Sequence, residues 1–391
     1  MDFQLSDEQI MLKKMVHDLA EKDFKPKAAK WDEEEKFPWE NLKILAQQNL
    51  LGVTIPEEYG GGGGGIIDYV LIIEEIARVC ANTAVIVLGA NSVGGRILHF
   101  GTDEQREKYL PPIVKGQRIG VSAVTEPDAG SDVRSIKTTA RQNGDCFVIN
   151  GRKCFITRGA VGEIFVVTLK VAKEGEGPKS GFMIVEKGTP GFIIGKVEKT
   201  LGLRGNPSTE LIFDDCIVPK QNLLKEGELK NVLMGLNIAR CGNSTVSLGI
   251  AQGAFEEALK YSQQRVQFGR ELARFQGIQW MLADMLIKIE AARLLIYRAA
   301  VNAGKGYPSA LEASIAKTFS NEMALEVTNM ALQVHGGYGY SREFPVERMM
   351  RDARGFLIAG GTVQIQRNII ASRLVKTKKE KDSSSASVSI G

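Results

Sequence analysis

The chain reads as three successive textures of apolar and polar positions. Over residues 1 to about 120, apolar residues recur at helical spacing, the signature of helices with one buried face. Ser6, ahead of Asp7, Glu8 and Gln9, has the chemistry of a cap for the first helix. Six consecutive glycines, Gly60 to Gly65, interrupt the pattern. Their backbone entropy predicts a flexible loop, leading to a helix that holds Tyr69 to Cys80. From about 121 to 225 the apolar runs shorten and become β-branched or aromatic, at 146–149, 164–168, 181–185 and 211–213. Turn pairs such as Asn150-Gly151 and Pro190-Gly191 divide them, which predicts an antiparallel β domain. From about 226 to 376 helical spacing returns in long segments through 249–264, 276–303 and 309–334, which predicts an antiparallel bundle. Residues 377–391 follow as a charged and then serine-rich stretch, the composition of a disordered tail. The expected class is α+β.

Composition narrows this picture. With 43% hydrophobic residues in 391, the chain can bury a large core and more than one domain. A net charge of +4 spread along the chain describes a solvated surface and gives no sign of nucleic acid. The five cysteines, Cys80, Cys146, Cys154, Cys216 and Cys241, form no CxxC pair. Neither a disulfide framework nor a zinc site is expected, and a cytoplasmic location fits. Cys241 reads as a buried thiol. His17 and His99 have no companions that suggest a metal. No basic-then-apolar leader is expected at the start of the chain, and no apolar run is expected to reach membrane-spanning length.

Several motifs carry chemistry. Val124-Thr125-Glu126-Pro127-Asp128-Ala129-Gly130-Ser131-Asp132 reads in two ways from its residues alone: a capping turn, or a loop of hydroxyls and amides facing a cofactor. Gly151-Arg152-Lys153 precedes Phe155-Ile156-Thr157. Arg265-Val266-Gln267-Phe268-Gly269-Arg270 is followed by Phe275-Gln276, and Arg suits bidentate phosphate binding. Gln333-Val334-His335-Gly336-Gly337 closes a helical segment, and Gly360-Gly361-Thr362-Val363-Gln364 closes the last motif before Arg367. The stretch Gly336 to Tyr340 lacks the preceding strand that a dinucleotide fingerprint needs.

Taken in order, these motifs resemble those of the acyl-CoA dehydrogenases. The resemblance implies a helical domain (1–120), a β-barrel (121–225) and a C-terminal four-helix bundle (226–376), assembled as a homotetramer, a dimer of dimers. It implies FAD as cofactor, an acyl-CoA substrate and an electron-transferring flavoprotein as electron acceptor. On the flavin it places Ser122, Val124, Thr125, Ser131, Phe155, Ile156, Thr157, Thr362 and Gln364. Toward its pyrophosphate and adenine, across a subunit interface, it places Arg265, Gln267, Phe268, Phe275, Gln276, Gln333, Val334, Gly336 and Gly337. Toward the thioester and CoA it places Ser131, Asn237, Arg240, Gly361 and Arg367. His335 is expected to pack at a helix end. Arg158 departs from the Asn or Ser usual after the Thr.

The largest departure is Gly360, where the family's Glu removes the substrate α-proton; a glycine cannot. A minority of relatives place the acid before an Arg that here resembles Arg240, and that position is Ala239. The double absence resembles the alicyclic acyl-CoA dehydrogenases of anaerobic aromatic metabolism. It suggests 1,4-dehydrogenation of cyclohex-1-ene-1-carbonyl-CoA to the 1,5-diene, with the base facing the γ-carbon. The segment Gly89-Ala90-Asn91-Ser92, read as a loop, makes Asn91 the candidate, either as a substrate-orienting Asn or as an inactivating Asp-to-Asn change. Glu126 and Asp128 are further acids to weigh. The alternatives are another short-chain, branched or cyclic acyl-CoA dehydrogenase, an enoyl-CoA reductase, or a base-less structural subunit of a heteromeric enzyme.

Overall fold

A computed structural model describes residues 4–227 and 237–375, so the serine-rich tail lies outside the described residues. The N-terminal helices are α1 (Asp7–Leu19), α2 (Ala28–Glu33), α3 (Trp39–Gln47), α4 (Ile66–Val79), α5 (Ala81–Phe100) and α6 (Asp103–Val114). Ser6 caps α1 as its chemistry predicts: its side chain accepts from the Gln9 amide while the Gln9 side chain returns to the Ser6 amide.

The glycine run is fixed rather than flexible. The amides of Gly62, Gly63 and Gly64 donate to the carbonyls of Gly52, Ile55 and Val53 at 2.8–2.9 Å. A β-carbon on Gly61 would overlap the Ile55 carbonyl, so the bare backbone permits this packing.

Helices α4 and α5 are buried almost throughout. Residues 89–92 lie in the middle of α5 and are not a loop; tertiary burial overrides the low helix propensity of Gly89, Gly94 and Gly95. Among the described residues α5 is the one helix long and apolar enough to cross a membrane, which corrects the expectation that no apolar run reaches that length. Most of it is packed inside the protein, the environment of a core helix.

Eight strands follow: β1 (Gly120–Ala123), β2 (Thr139–Asn143), β3 (Cys146–Thr157), β4 (Ile164–Ala172), β5 (Lys179–Glu186), β6 (Phe192–Glu198), β7 (Ser208–Pro219) and β8 (Leu223–Gly227). They form one sheet in the order β6-β7-β3-β2-β4-β5-β8, with β1 also on β4. The expected all-antiparallel pairing is corrected at two places: β1 and β2 both run parallel to β4. Since β5 holds the other edge of β4, β1 and β2 share one edge in tandem. The segment between them, residues 124–138, is thereby thrown out of the sheet.

The C-terminal helices are α7 (Asn237–Gln264), α8 (Gln276–Ala303), α9 (Ala310–His335), α10 (Val346–Phe356) and α11 (Val363–Leu374). Helix α7 packs along both α9 and α4. Gly249 and Gly253 allow the close approach to α4, because a β-carbon on either would overlap the Glu74 or Arg78 carbonyl. Buried Glu74 locks the helical layers together. It accepts from Arg293 Nε at 3.0 Å and from the Tyr297 hydroxyl at 2.7 Å.

Candidate active site

The loop that leaves β1 is built around a buried ion pair. Lys153 Nζ donates to the Glu126 carboxylate at 2.7 Å and to the Val124 carbonyl at 2.9 Å. Burial alone would raise the Glu126 pKa; Lys153 and the amides of Lys137 and Thr138 outweigh it and hold the carboxyl below its usual value. Glu126 is therefore a structural anion. Asp128 is exposed and pairs with Lys137 at 2.9 Å. Neither acid lines the cavity described below.

Strand β3 supplies the opposite wall. Its register against β7 slips between Lys153 and Ile156, a bulge that re-aims the strand end. Phe155 (φ 55°) and Arg158 (φ 62°) both occupy the left-handed region. Two strained positions three residues apart mark a place where packing overrides local preference. Phe155 is turned outward and is 64% exposed.

These walls enclose a cavity of about 450 Å³ with α5, the start of α7 and the turn before α11. Of the residues assigned to the flavin, Ser122, Val124, Thr125, Ser131, Phe155, Ile156 and Thr157 all line it. Arg240, Gly360 and Gly361 from the substrate side line it too, as does Ala239.

Other assignments fall elsewhere. Thr362 caps α11 by accepting from the Ile365 amide. Gln364 and Arg367 face outward from that helix, and Arg367 forks onto Glu322 at 2.7 and 2.8 Å. Asn237 acts through Arg240: its Oδ1 accepts from Arg240 Nη1 at 2.6 Å, and its Nδ2 donates to the Pro308 carbonyl.

The correction that matters most is Asn91. It is fully buried and its amide is saturated. Oδ1 accepts from the Thr54 amide and hydroxyl, both at 3.1 Å; Nδ2 donates to the Leu51 and Val87 carbonyls, both at 2.9 Å. The helix turns this side chain away from the cavity and onto the 51–54 segment. Its neighbours Gly89 and Ser92 line the cavity; Asn91 does not.

Gly360 adopts φ +68° in the turn before α11. A β-carbon there would overlap Asn243 Nδ2, and Lys317 Cε would lie 3.7 Å from it. Asn243 is 7% exposed and lines the cavity, and its side chain has no hydrogen-bond partner among the described residues. Buried Gln366 ties the turn down, donating to the Gly361 carbonyl at 3.1 Å. Lys317 and Asn321 bind the Phe356 carbonyl at the end of α10. Asn243, Lys317 and Gln366 were not singled out by sequence, since isolated polar residues in long helices carry no local signal.

A second cavity opens where α7 ends. Arg265, Gln267, Val334, Gly336 and Gly337 line it. Phe268, Phe275, Gln276 and Gln333 do not. Phe268 is 94% exposed, while Phe275 lies under the Arg270 guanidinium at 4.1 Å. His335 packs at the helix end as expected, stacked on Tyr261 at 4.3 Å with Nδ1 2.8 Å from the Ala331 carbonyl. Arg240 and Gln264 stand at the two ends of α7, roughly 36 Å apart at 1.5 Å per residue.

Family models match the chain along nearly its whole length. They are the acyl-CoA dehydrogenase N-terminal domain at residues 6–117, the middle domain at 122–216 and the C-terminal domain at 229–375. The chain is 44% identical over 380 residues to a short-chain-specific acyl-CoA dehydrogenase of Clostridium acetobutylicum, covering 96% of this chain and 100% of the relative. It is also 44% identical over 381 residues to an acryloyl-CoA reductase (NADH) of Anaerotignum propionicum, covering 96% of each. Butyryl-CoA dehydrogenase from Megasphaera elsdenii superposes with a TM-score of 0.91 at 39% identity, over 96% of this chain and 100% of that one.

Proposed function

Because this chain belongs to the acyl-CoA dehydrogenase family, we propose that it exchanges hydride between FAD and the β-carbon of a short acyl-CoA thioester without an enzyme carboxylate at the α-carbon. The observation that carries this reading is the juxtaposition of Gly360 and Asn243 inside an otherwise complete cradle. When bound, FAD accepts or returns the hydride. The residues fit it: hydroxyls and amides of the 122–131 segment form one wall, the bulged end of β3 forms another, and a cavity sits between.

At the α-carbon the chain offers an amide. Asn243 can donate or accept a hydrogen bond and so fix a carbonyl or a water there, but an amide does not take up a proton near neutrality. Proton exchange at that carbon is left to solvent. Asp132, exposed and bonded to Ser135, is the single carboxylate among the described lining residues. Removal of a γ-proton from cyclohex-1-ene-1-carbonyl-CoA therefore has no carboxylate acceptor among the described inner-wall residues, and Asn91 does not supply one. The substrate we assign is a short acyl thioester, oxidised, or formed by reduction of its enoyl partner; relatives named for each direction support leaving both open.

The assembly proposed is a homotetramer with an electron-transferring flavoprotein as redox partner. Trp280, Ile287, Leu294 and Val301 recur every seven residues along α8 and are all exposed, an apolar stripe suited to a second copy. The separation of the two cavities supports a flavin shared between chains. The test is anaerobic mixing of the FAD-loaded protein with butyryl-CoA, and of its reduced form with crotonyl-CoA, followed by flavin absorbance. Slow flavin reduction without a fast proton-abstraction phase supports the reading; rapid bleaching overturns it.

A further inference from the structure

The described residues include six buried Lys or Arg side chains: Arg78, Arg96, Lys153, Arg158, Arg240 and Lys317. Arg78 pairs with Glu21, Glu75 and Glu256, and Lys153 pairs with Glu126. The other four have no carboxylate partner among the described residues, and all four surround one cavity. Arg96, Arg158 and Arg240 line it, and Lys317 stands behind Gly360. Each of the three guanidiniums leaves its Nε without a hydrogen-bond partner. Arg96 donates through Nη1 to the Ser122 hydroxyl and lies over the Phe182 ring. Arg158 reaches across α5, where a β-carbon on Gly89 would overlap its guanidinium, and donates to the Val85 and Ile86 carbonyls at 3.1 and 3.3 Å.

An unpaired buried charge is costly, and a folded chain normally places an acid beside it. Here that happens at Arg78 and Lys153 and fails only around the cavity. Desolvation pulls Arg96 and Arg158 down to about 10, in the direction expected for cations lacking a counter-ion. The exposed Asp132 and Arg134 do not offset the inner charges.

Resting on the reading that the cavity holds flavin and thioester, we propose that its inner end receives an acyl group terminating in a carboxylate or a similar small oxyanion, with Arg158 as the principal partner. Arg158 is the guanidinium whose backbone is held in the left-handed region, and Gly89 leaves room for its fork. A charge-assisted fork onto an oxyanion satisfies the free Nε and offsets the buried charge together. Arg96 and Arg240 strengthen the field without needing contact.

The test uses calorimetric titration of the oxidised, FAD-loaded protein with matched thioesters: succinyl-CoA against butyryl-CoA, and glutaryl-CoA against pentanoyl-CoA. Each acid is expected to bind about tenfold to a hundredfold more tightly than its neutral partner. Arg158→Met is expected to reduce that ratio to about one, and Arg158→Lys to keep part of it. Equal or tighter binding of the neutral thioesters to the unaltered protein overturns the inference, and this comparison needs no variant. A preference that survives Arg158→Met overturns the role of Arg158. Failure of both members of each pair to bind overturns the thioester reading itself, which separates the two claims.

Discussion

Asn243 stands against Gly360, in the space that a β-carbon at position 360 would have to occupy. The two residues are 117 positions apart, on α7 and in the turn before α11, and each makes sense of the other. The glycine accepts φ +68° without strain, and its bare α-carbon lets the amide lean in. The amide of Asn243 occupies the space that any side chain at position 360 would need.

Asn91→Asp is expected to destabilise the protein and to accelerate nothing. One carboxylate oxygen would face the Leu51 and Val87 carbonyls, which now receive Nδ2. Replacing two donated bonds by repulsion in a buried site is expected to cost about 1–3 kcal/mol or more. Thermal unfolding and flavin bleaching by cyclohex-1-ene-1-carbonyl-CoA check this. An unchanged melting temperature with faster bleaching would restore Asn91 as a catalytic position.

Cofactor retention is expected to depend on assembly. Arg265→Ala removes a phosphate-type donor from the second cavity and is expected to weaken FAD binding by about 1.5–3 kcal/mol. Leu294→Asp places a charge in the exposed stripe of α8, outside both cavity linings, and is expected to yield smaller species that also lose FAD. Sedimentation with flavin absorbance reads both effects. A Leu294→Asp protein that is smaller yet fully yellow would show that one chain holds the whole cofactor.

Lys317 predicts a pH dependence of stability. Burial, with the Arg240 charge adding to it, lowers its pKa from 10.5 to about 7. Between those values the unfolded chain binds a proton that the folded chain does not, so stability rises as pH increases from about 7 toward 10.5. Below pH 7 the full cost of charging the buried amine remains. Lys317→Met is expected to flatten this rise, narrowing the gap in melting temperature between about pH 7 and pH 9 by a few degrees. Parallel curves for the two proteins would mean that Lys317 stays charged when folded.

Much of this was legible before the fold. The helical and strand textures and the cap at Ser6 follow from spacing and residue chemistry, and the motifs singled out some of the residues that line each cavity. The departures at Gly360 and Arg158 were also visible as residues. Their consequences were not, because they depend on where distant segments meet. A lone Asn at 243 in a long helix looks like any core polar residue until the 357–362 turn is folded onto it. Asn91 was placed in a loop at the acyl pocket by resemblance alone, while burial between layers keeps α5 helical and turns that side chain away. Parallel pairing of β1 and β2 with β4 leaves no trace in strand composition, since register and direction are set by partners. The glycine run looked mobile because composition records entropy but not the ladder of bonds that offsets it.

The most direct test is the rate of anaerobic flavin bleaching by butyryl-CoA in three proteins with equal FAD content. The unaltered protein is expected to bleach slowly. Gly360→Glu alone is expected to gain little, since a left-handed non-glycine costs roughly 1–2 kcal/mol and its β-carbon meets Asn243. Gly360→Glu combined with Asn243→Ala clears the space and returns a base, and is expected to bleach roughly 10²–10⁴ times faster than the unaltered protein. Rapid bleaching by the unaltered protein, with no gain in the double variant, would contradict the account.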